Sequence, residues 1–230
     1  MNILSLDTSG PSAGAALMQG GIIVCSVRRM AGVTHSETIM PMIDDVLQYA
    51  GLSPKDLDLI ACVSGPGSFT GVRIGICAAK GMAQALGCKV CEVNALEALA
   101  YAHKGFDGAI CPVLDARRGQ VYCAAFCFAD GERPRRILPD AALPLDAFIK
   151  QLPRGEKKLF TGDAMTFRAR EILSAAGADA IAAPASARDI DPASVCALAL
   201  LSEPTEGIAL RPLYLRAPQA ERERAAKGGA

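Results

Sequence analysis

The sequence predicts an α/β protein of two lobes that share one order of strands and helices. Short apolar runs alternate with longer segments of helical periodicity along most of the 230 residues. An apolar strand that ends in Asp opens each half, as NILSLD at residues 2–7 and as AICPVLD at residues 109–115. Because 51% of the residues are hydrophobic, the chain has enough apolar surface to bury for a globular fold.

The first half begins with three strands and continues with alternating helices and strands. Thr34 and Glu37 form the T-x-x-E pattern of a capping box, which bonds free amides at a helix start. The helix that follows carries apolar residues at helical spacing: Ile39, Met42, Ile43 and Val46. The predicted strands are residues 3–6, 13–18, 21–28, 59–63 and 89–93, and the predicted helices are residues 36–50, 70–86 and 95–103.

The second half repeats this order. Its predicted strands are residues 109–115, 120–128, 133–138 and 158–161, and its predicted helices are residues 143–152, 164–176 and 192–201. Two βββαβα halves are the arrangement of the actin, Hsp70 and sugar-kinase superfamily, so we expect a duplicated actin-like fold. We assign residues 1–104 to an N-terminal lobe, residues 105–217 to a C-terminal lobe and residues 218–230 to a disordered tail.

Charge and hydropathy limit the surfaces with which the chain can associate. Lys and Arg number 24, as do Asp and Glu, so no overall field draws the protein to nucleic acid or to anionic membranes. No apolar run approaches the roughly 20 residues of a membrane span, and no basic segment precedes the first strand. We therefore expect a cytoplasmic protein.

Metal ligands are sparse in this sequence. Most of the nine cysteines lie in apolar runs, where a thiol behaves as a small hydrophobe, and CKVC at residues 88–91 is a single C-x-x-C. The two histidines, His35 and His103, belong to no paired-ligand motif. His35 is interpreted either as a residue of the first helical turn or as a ligand, and no metal site is expected.

The glycine-rich loop SGPGSFTGVRIG, residues 64–75, has the layout of a phosphate-binding loop but lacks its chemistry. No Lys follows Gly71, as a P-loop requires, and the glycine spacing does not match a dinucleotide fingerprint. Ser68 or Thr70 can instead cap the following helix.

The turns after the first strand of each half form a candidate nucleotide cleft. The first turn, DTSGPSAG, contains Asp7, Thr8 and Ser9 and is still suited to phosphate binding, whereas the second, DARRGQ, places Arg117 beside Asp115 where small residues would be needed. Asp7 and Asp115 are either paired carboxylates of a phosphotransferase or caps of their own turns, and the residues alone favour neither.

The helix after the loop has small or apolar residues on two faces. One row is formed by Gly71, Gly75, Ala78, Ala79 and Met82, and the opposite row by Ile74, Cys77, Gly81 and Ala85. A small-residue row is either core packed on the sheet or the contact with a helix of another chain. Together with the helix at residues 36–50, the two apolar faces favour an interface.

Six motifs occur in order across nearly the whole chain: ILSLDTS, THSETIMPMID, SGPGSFTGVRIGICAAKGMA, VNALEALA, VLDARRGQVY and RPLYLRAPQAE. Together they resemble the TsaB family, bacterial subunits of the machinery that makes tRNA N6-threonylcarbamoyladenosine (t6A). The resemblance implies an actin-like fold and a protein that is not itself an enzyme. It also implies docking to a TsaD-type paralogue, which modifies adenosine 37 of tRNAs that read ANN codons, with a TsaE-type ATPase.

The resemblance further implies which residues meet the partner. They are residues of the two helices discussed above: Thr34, His35, Glu37, Ile39, Met42, Ile43, Val46, Gly71, Arg73, Gly75, Ala78, Ala79 and Met82. TsaD-type proteins carry a metal-binding H-x-x-x-H where this chain has NALEALA, so ATP and Mg²⁺ are expected on the partner subunits and no cofactor on this chain alone. A homodimer is expected when the chain is alone, and tRNA is expected to bind through the complex.

A local basic patch is also possible in this neutral chain. Its candidate residues are Arg117, Arg118, Arg133, Arg135 and Arg136. They form either a contact with tRNA or a solvated face.

Overall fold

Residues 1–30, 34–129 and 131–216 are described by a computed structural model of the protein. In these ranges the strands are β1 Asn2–Asp7, β2 Ser12–Gln19, β3 Ile22–Met30, β4 Leu59–Gly65, β5 Lys89–Asn94, β6 Ala109–Asp115, β7 Gln120–Cys127, β8 Arg135–Pro144, β9 Lys158–Thr161 and β10 Ala180–Ala182. The helices are α1 His35–Ala50, α2 Phe69–Leu86, α3 Ala95–Tyr101, α4 Leu145–Ile149, α5 Ala164–Phe167, α6 Ala169–Ala176 and α7 Pro192–Leu200. The tail predicted at residues 218–230 lies outside the described residues.

The two sheets have the same topology, which confirms the predicted duplication. The first sheet has the order β3-β2-β1-β4-β5 and the second the order β8-β7-β6-β9-β10. In both sheets the first three strands pair antiparallel, and the fourth and fifth pair parallel to the first and fourth. The chain therefore has the duplicated, two-lobed α/β fold of actin-like proteins.

Three hydrophobic clusters lie between the layers of helices and sheets. One lies between α1, α2 and the first sheet, and another between α4, α5, α6 and the second sheet. The third lies between the two sheets and includes α3 and α7. Helices thus cover both faces of the first sheet, as its parallel strands require.

The last helix packs on the first sheet although it follows the second. α7 contacts all five strands of the first sheet, and α3, which follows that sheet, contacts β6 and β7. Ser5 Oγ on β1 donates to the carbonyl of Pro192 at 2.7 Å. The predicted boundary at residues 104 and 105 stays a prediction, but α7 packs on the sheet of the first lobe, and Thr205 pairs with the edge of that sheet.

Several predicted bounds differ from the structure, mostly in the second half. β8 covers residues 135–144 and not 133–138, so α4 is shorter than the predicted helix 143–152. The predicted helix 164–176 is divided into α5 and α6, and β10 was not predicted. Thr34 occupies the N-cap position of α1, but its side chain makes no cap bond; its backbone carbonyl accepts from the Glu37 N–H at 2.9 Å. The predicted capping box is therefore wrong.

The helices in the described ranges were also compared with the length of a membrane span. None of them is long and apolar enough to cross a bilayer.

Candidate functional site

The turns after β1 and β6 are built by the same local bond. Asp7 Oδ1 accepts from the backbone N–H of Ser9 at 2.8 Å, and Asp115 Oδ1 accepts from that of Arg117 at 2.9 Å. In each case a carboxylate bonds to the amide two residues ahead, which is an Asx turn. Both carboxylates therefore cap their own turns, as one of the two interpretations of the sequence proposed.

The cleft between the lobes gathers four carboxylates. Burial raises the pKa of Asp7 to about 6, although the hydrogen bonds from Ser9 lower it. The charge of Asp189 raises it further. Burial raises the pKa of Asp163 to about 6 as well, with the charges of Asp115 and Asp189 adding to it. Asp163 Oδ1 accepts from the Asp115 N–H at 2.8 Å. The charge of Asp189 thus acts on Asp7 of the first lobe and on Asp163 of the second, so these three carboxylates lie near one another.

The arrangement of these acids defines what the cleft can do. A carboxylate with a pKa near 6 can take up a proton near neutral pH. A nucleotide phosphate in the same place would be repelled by the carboxylates unless a cation lay between them. Within the described ranges, no group of three His, Cys, Asp or Glu side chains is arranged to hold a metal ion.

The glycines of the loop at residues 64–75 are required by packing. Ser68 Oγ accepts from the Gly71 N–H at 3.2 Å and caps α2, as predicted. A Cβ at Gly71 would collide with the carbonyl of Thr8, and one at Gly75 would lie 2.6 Å from Thr8 Oγ1. The turn after β1 thus lies directly on the first turns of α2, and Thr8 Oγ1 donates to the Gly71 carbonyl at 2.7 Å.

The same turn also contacts α1. His35 Nε2 donates to the carbonyl of Gly10 at 2.9 Å, and His35 lies close enough to Asp7 to lower the pKa of that carboxyl. The cleft turn and the starts of both helices are therefore one hydrogen-bonded unit, to which His35 contributes a bond to the backbone of Gly10.

Seven of the predicted partner-contact residues are buried within the chain. They are Ile39, Met42, Ile43, Val46, Gly71, Gly75 and Ala79. A helix lying on a sheet buries its main apolar row against that sheet, so these side chains form core and offer no surface. Thr34, Glu37 and Arg73 are exposed, and His35, Ala78 and Met82 are half-buried.

The outward side of the two helices is also apolar. On α1, Met40 is 43% and Tyr49 75% exposed. On α2, the second small-residue row faces outwards: Ile74 is half-buried, and Cys77, Gly81 and Ala85 are exposed. A Cβ at Gly81 would meet no atom within 4 Å. We call these six residues the helix-pair face, since α1 and α2 pack side by side.

The segment that follows α7, residues 203–216, packs against α2. We call it the C-terminal strap. Thr205 and Val90 exchange two backbone bonds of 2.7 and 2.8 Å, which attaches the strap to the edge of the first sheet. Tyr214 stacks on Phe69 with ring centroids 4.8 Å apart and accepts from Arg73 Nε at 2.7 Å.

The fold and the site define a two-lobed actin-like protein in which the cleft turns are packed and the described residues leave the outward side of a helix pair exposed. The chain matches the TsaD family model, described as tRNA N6-adenosine threonylcarbamoyltransferase, over residues 19–190. It is 32% identical to the tRNA threonylcarbamoyladenosine biosynthesis protein TsaB of Bacillus subtilis (strain 168) over 222 residues, 96% of each chain. It is 35% identical to TsaB of Escherichia coli (strain K12) over 128 residues, 55% of each chain.

A solved structure gives the same result. YeaZ from Pseudomonas aeruginosa superposes with a TM-score of 0.79 and 26% identity, covering 93% of this chain and 99% of that one. The chain belongs to the TsaB family.

Sequence reasoning missed three residues of the site. Asp163 follows the fourth strand of the second half, as the glycine-rich loop follows that of the first, so aligning the halves would have found it. Asp189 and Tyr214 lie in irregular segments and reach the cleft and α2 through tertiary packing; Tyr214 lies in the motif RPLYLRAPQAE, but nothing in that motif shows that its ring packs on α2.

Proposed function

We propose that this chain is a non-catalytic subunit of t6A37 synthesis, which docks to a TsaD-type transferase and activates it together with a TsaE-type ATPase. The observation that carries the proposal is the helix-pair face. The family to which the chain belongs supplies the pathway, since its curated relatives are named for threonylcarbamoyladenosine biosynthesis.

The helix-pair face has the composition of a helix–helix contact. Cys77, Gly81 and Ala85 are small and spaced by four residues, so a partner helix can approach the backbone of α2 closely. Met40 and Tyr49 supply larger apolar groups beside them, and Tyr is enriched among the residues that dominate binding energies. A related paralogue with the same helix pair would present a matching surface, and so would a second copy of this chain.

The cleft supports a role other than catalysis for this chain. The space beside Gly71 and Gly75, through which a phosphate could approach the backbone, is filled by Thr8 of the turn after β1. Asp7 and Asp115 each cap a turn. The stretch NALEALA forms the end of β5 and most of α3 without a histidine, and Glu97 in it pairs with Arg133 at 2.5 Å. We therefore propose that ATP and Mg²⁺ bind to the partner subunits. We further propose that the complex acts in the cytoplasm.

The test is pairing with the TsaD-type protein of the same organism. We expect light scattering to show a mixed species, and t6A to form on tRNA only when both proteins and a source of the threonylcarbamoyl adenylate are present. Gly81→Arg should abolish pairing, because it places a charged side chain on the exposed face of α2. Ala175→Arg, at an exposed position of α6, is the matched control and should pair as wild type.

The folded state of each variant has to be checked by its thermal melt. Pairing of Gly81→Arg at wild-type strength, with a cooperative melt, would show that the contact lies elsewhere on the molecule. Ala79, which is fully buried, is unsuitable for this test because an arginine there would disrupt the core.

A second candidate function is favoured by the raised pKa of Asp7, which suits a general base. In that case the chain would be an autonomous phosphotransferase or ATPase that uses Asp7 and Asp115. Calorimetry with ATP and Mg²⁺ on the protein alone distinguishes the two functions. Tight binding with turnover, and no mixed species with the paralogue, would replace the docking proposal.

A further inference from the structure

We propose that the C-terminal strap holds the site through which this chain contacts the phosphate backbone of tRNA. The inference deepens the proposed function and rests on it. The site consists of Arg73 on α2 and of Arg211 and Arg216 on the strap, which we call the arginine ribbon.

The contacts of the strap place these three side chains along one border of the molecule. The Arg211 N–H donates to Glu92 Oε1 at 2.6 Å, and the Leu213 N–H donates to the Ser64 carbonyl at 2.7 Å. Arg73 joins the strap through Tyr214. Arg216 Nη1 reaches the second lobe, where it donates to the Ala116 carbonyl at 2.6 Å. The ribbon therefore runs from the edge of the first sheet to the turn after β6.

The length of the ribbon suits a nucleic-acid strand. Arg216 lies five positions after Arg211, so their Cα atoms are at most about 18 Å apart. A strand of this length presents several phosphates, each with one negative charge.

The guanidinium charges of the ribbon are not neutralised by the bonds that hold them. Arg73 donates to the Tyr214 hydroxyl, Arg211 Nη1 to the carbonyls of Ile208 and Leu210, and Arg216 to a carbonyl. All of these acceptors are neutral. The nearby carboxylate of Glu92 bonds to the backbone of Arg211, and Asp115 pairs with Arg117 at 3.4 Å. Among the described residues no carboxylate pairs with these three guanidinium groups, although Glu203 and Glu206 leave the strap itself without net charge.

The other basic patch considered for tRNA differs in this respect. Arg133 pairs with the buried Glu97 at 2.5 Å, and Arg136 pairs with Asp140 at 2.7 Å. These two guanidinium groups are held by carboxylates, as is that of Arg117, whereas Arg135 donates to the neutral Cys127 sulfur. Most of the candidate patch is therefore engaged in ion pairs.

The ribbon also contains an aromatic stack with a cation on it. Arg73 Cζ lies 3.9 Å from the centroid of the Phe69 ring, and Tyr214 is 37% exposed. Aromatic rings beside arginines form the platforms on which unpaired bases stack in RNA-binding proteins. Since arginine and tyrosine are also common at protein interfaces, the test has to separate RNA from a protein partner.

The experiment measures binding of an unmodified transcript of a tRNA that reads ANN codons to the complex of this chain with the TsaD-type protein. The dissociation constant is determined at several salt concentrations. We expect the double variant Arg211→Ala, Arg216→Ala to bind about tenfold more weakly and to lower the salt slope by about 2, one for each phosphate contact. The matched control, Arg154→Ala with Arg170→Ala, removes two exposed arginines of the second lobe and should leave the slope unchanged.

A footprint on the wild-type complex makes the test independent of the folding of the variant. Phenylglyoxal modifies accessible arginines, and mass spectrometry reads each site with and without the partner and with and without tRNA. Protection of Arg211 and Arg216 that requires tRNA supports the ribbon. Protection by the partner alone would make the strap a protein interface, and protection by neither would exclude a contact; both results overturn the inference.

The two proposals fail in distinguishable ways. If no mixed complex forms with the wild-type chain, the docking function is wrong. If the complex forms and modifies tRNA, but the double variant keeps the wild-type salt slope, only the arginine ribbon is wrong.

Discussion

Replacing Asp7 by Asn should stabilise the protein at neutral pH. The side chain of Asp7 is 2% exposed, and burial raises its pKa from 3.8 to about 6. The carboxyl is therefore easier to ionise in the unfolded chain than in the folded one. Its contribution to stability is fully present below pH 3.8 and is lost as the pH rises through 6.

The magnitude follows from the same values. A rise of the pKa from 3.8 to about 6 corresponds to about 3 kcal/mol at pH 7.5. Asn cannot ionise, and its Oδ1 can still accept from the N–H and hydroxyl of Ser9. Burial of the added amide donors costs about 1–2 kcal/mol. We therefore expect Asp7→Asn to gain about 1–2 kcal/mol at pH 7.5 and to lose stability by about that cost at pH 4.

The assay is urea unfolding followed by circular dichroism at the two pH values, with Asp179→Asn as an exposed control. The control should change stability by less than about 0.5 kcal/mol. If Asp7→Asn were less stable than wild type at pH 7.5, the bonds from Ser9 would outweigh the cost of burying the charge, and the reasoning would be refuted. The variant also tests the function. If the chain is a docking subunit, Asp7→Asn should still support t6A formation by the complex; if it is a phosphotransferase, the variant should lose ATP turnover.

Three further predictions concern packing and ion pairs. Gly75→Ala should lower the free energy of unfolding by about 1–3 kcal/mol, because its Cβ meets Thr8 Oγ1; an unchanged melting temperature would show that the turn can move aside. Gly81→Ala, at an open helical position, should raise that free energy by about 0.5–1 kcal/mol in the same melt, and a decrease would contradict its exposure. Glu97→Ala should cost about 2 kcal/mol in urea unfolding, because Arg133 loses its charged acceptor; no loss would mean that water replaces the pair.

The topology could be predicted because its signals are local. A strand that ends in Asp before a turn depends on a bond between residues two apart, so NILSLD and AICPVLD carry the same signal in the sequence as in the structure. The same holds for Ser68, which caps a helix that starts at the next residue. Repetition of such signals was enough to identify the duplicated sheets.

The orientation of α2 could not be predicted in this way. Both of its rows are small and apolar, so helical periodicity does not decide which of them faces the sheet. The row that faces inwards is determined by Thr8, which packs where only glycine leaves room for it. Thr8 is 63 residues from Gly71 in the sequence, so no local pattern reveals this contact. β10 and the position of Asp189 likewise depend on contacts between segments that are distant in sequence.

The packing of α7 on the first sheet has a consequence for synthesis of the chain. A ribosome releases the N-terminal lobe first, but the inner face of its sheet is incomplete until residues 192–200 have emerged. The nascent first lobe therefore exposes an apolar face while the whole second lobe is being translated, a state that is open to aggregation and to chaperones. An isolated fragment of residues 1–104 would lack α7, and the apolar inner face of its sheet would stay exposed. The first lobe therefore completes its folding only together with the second.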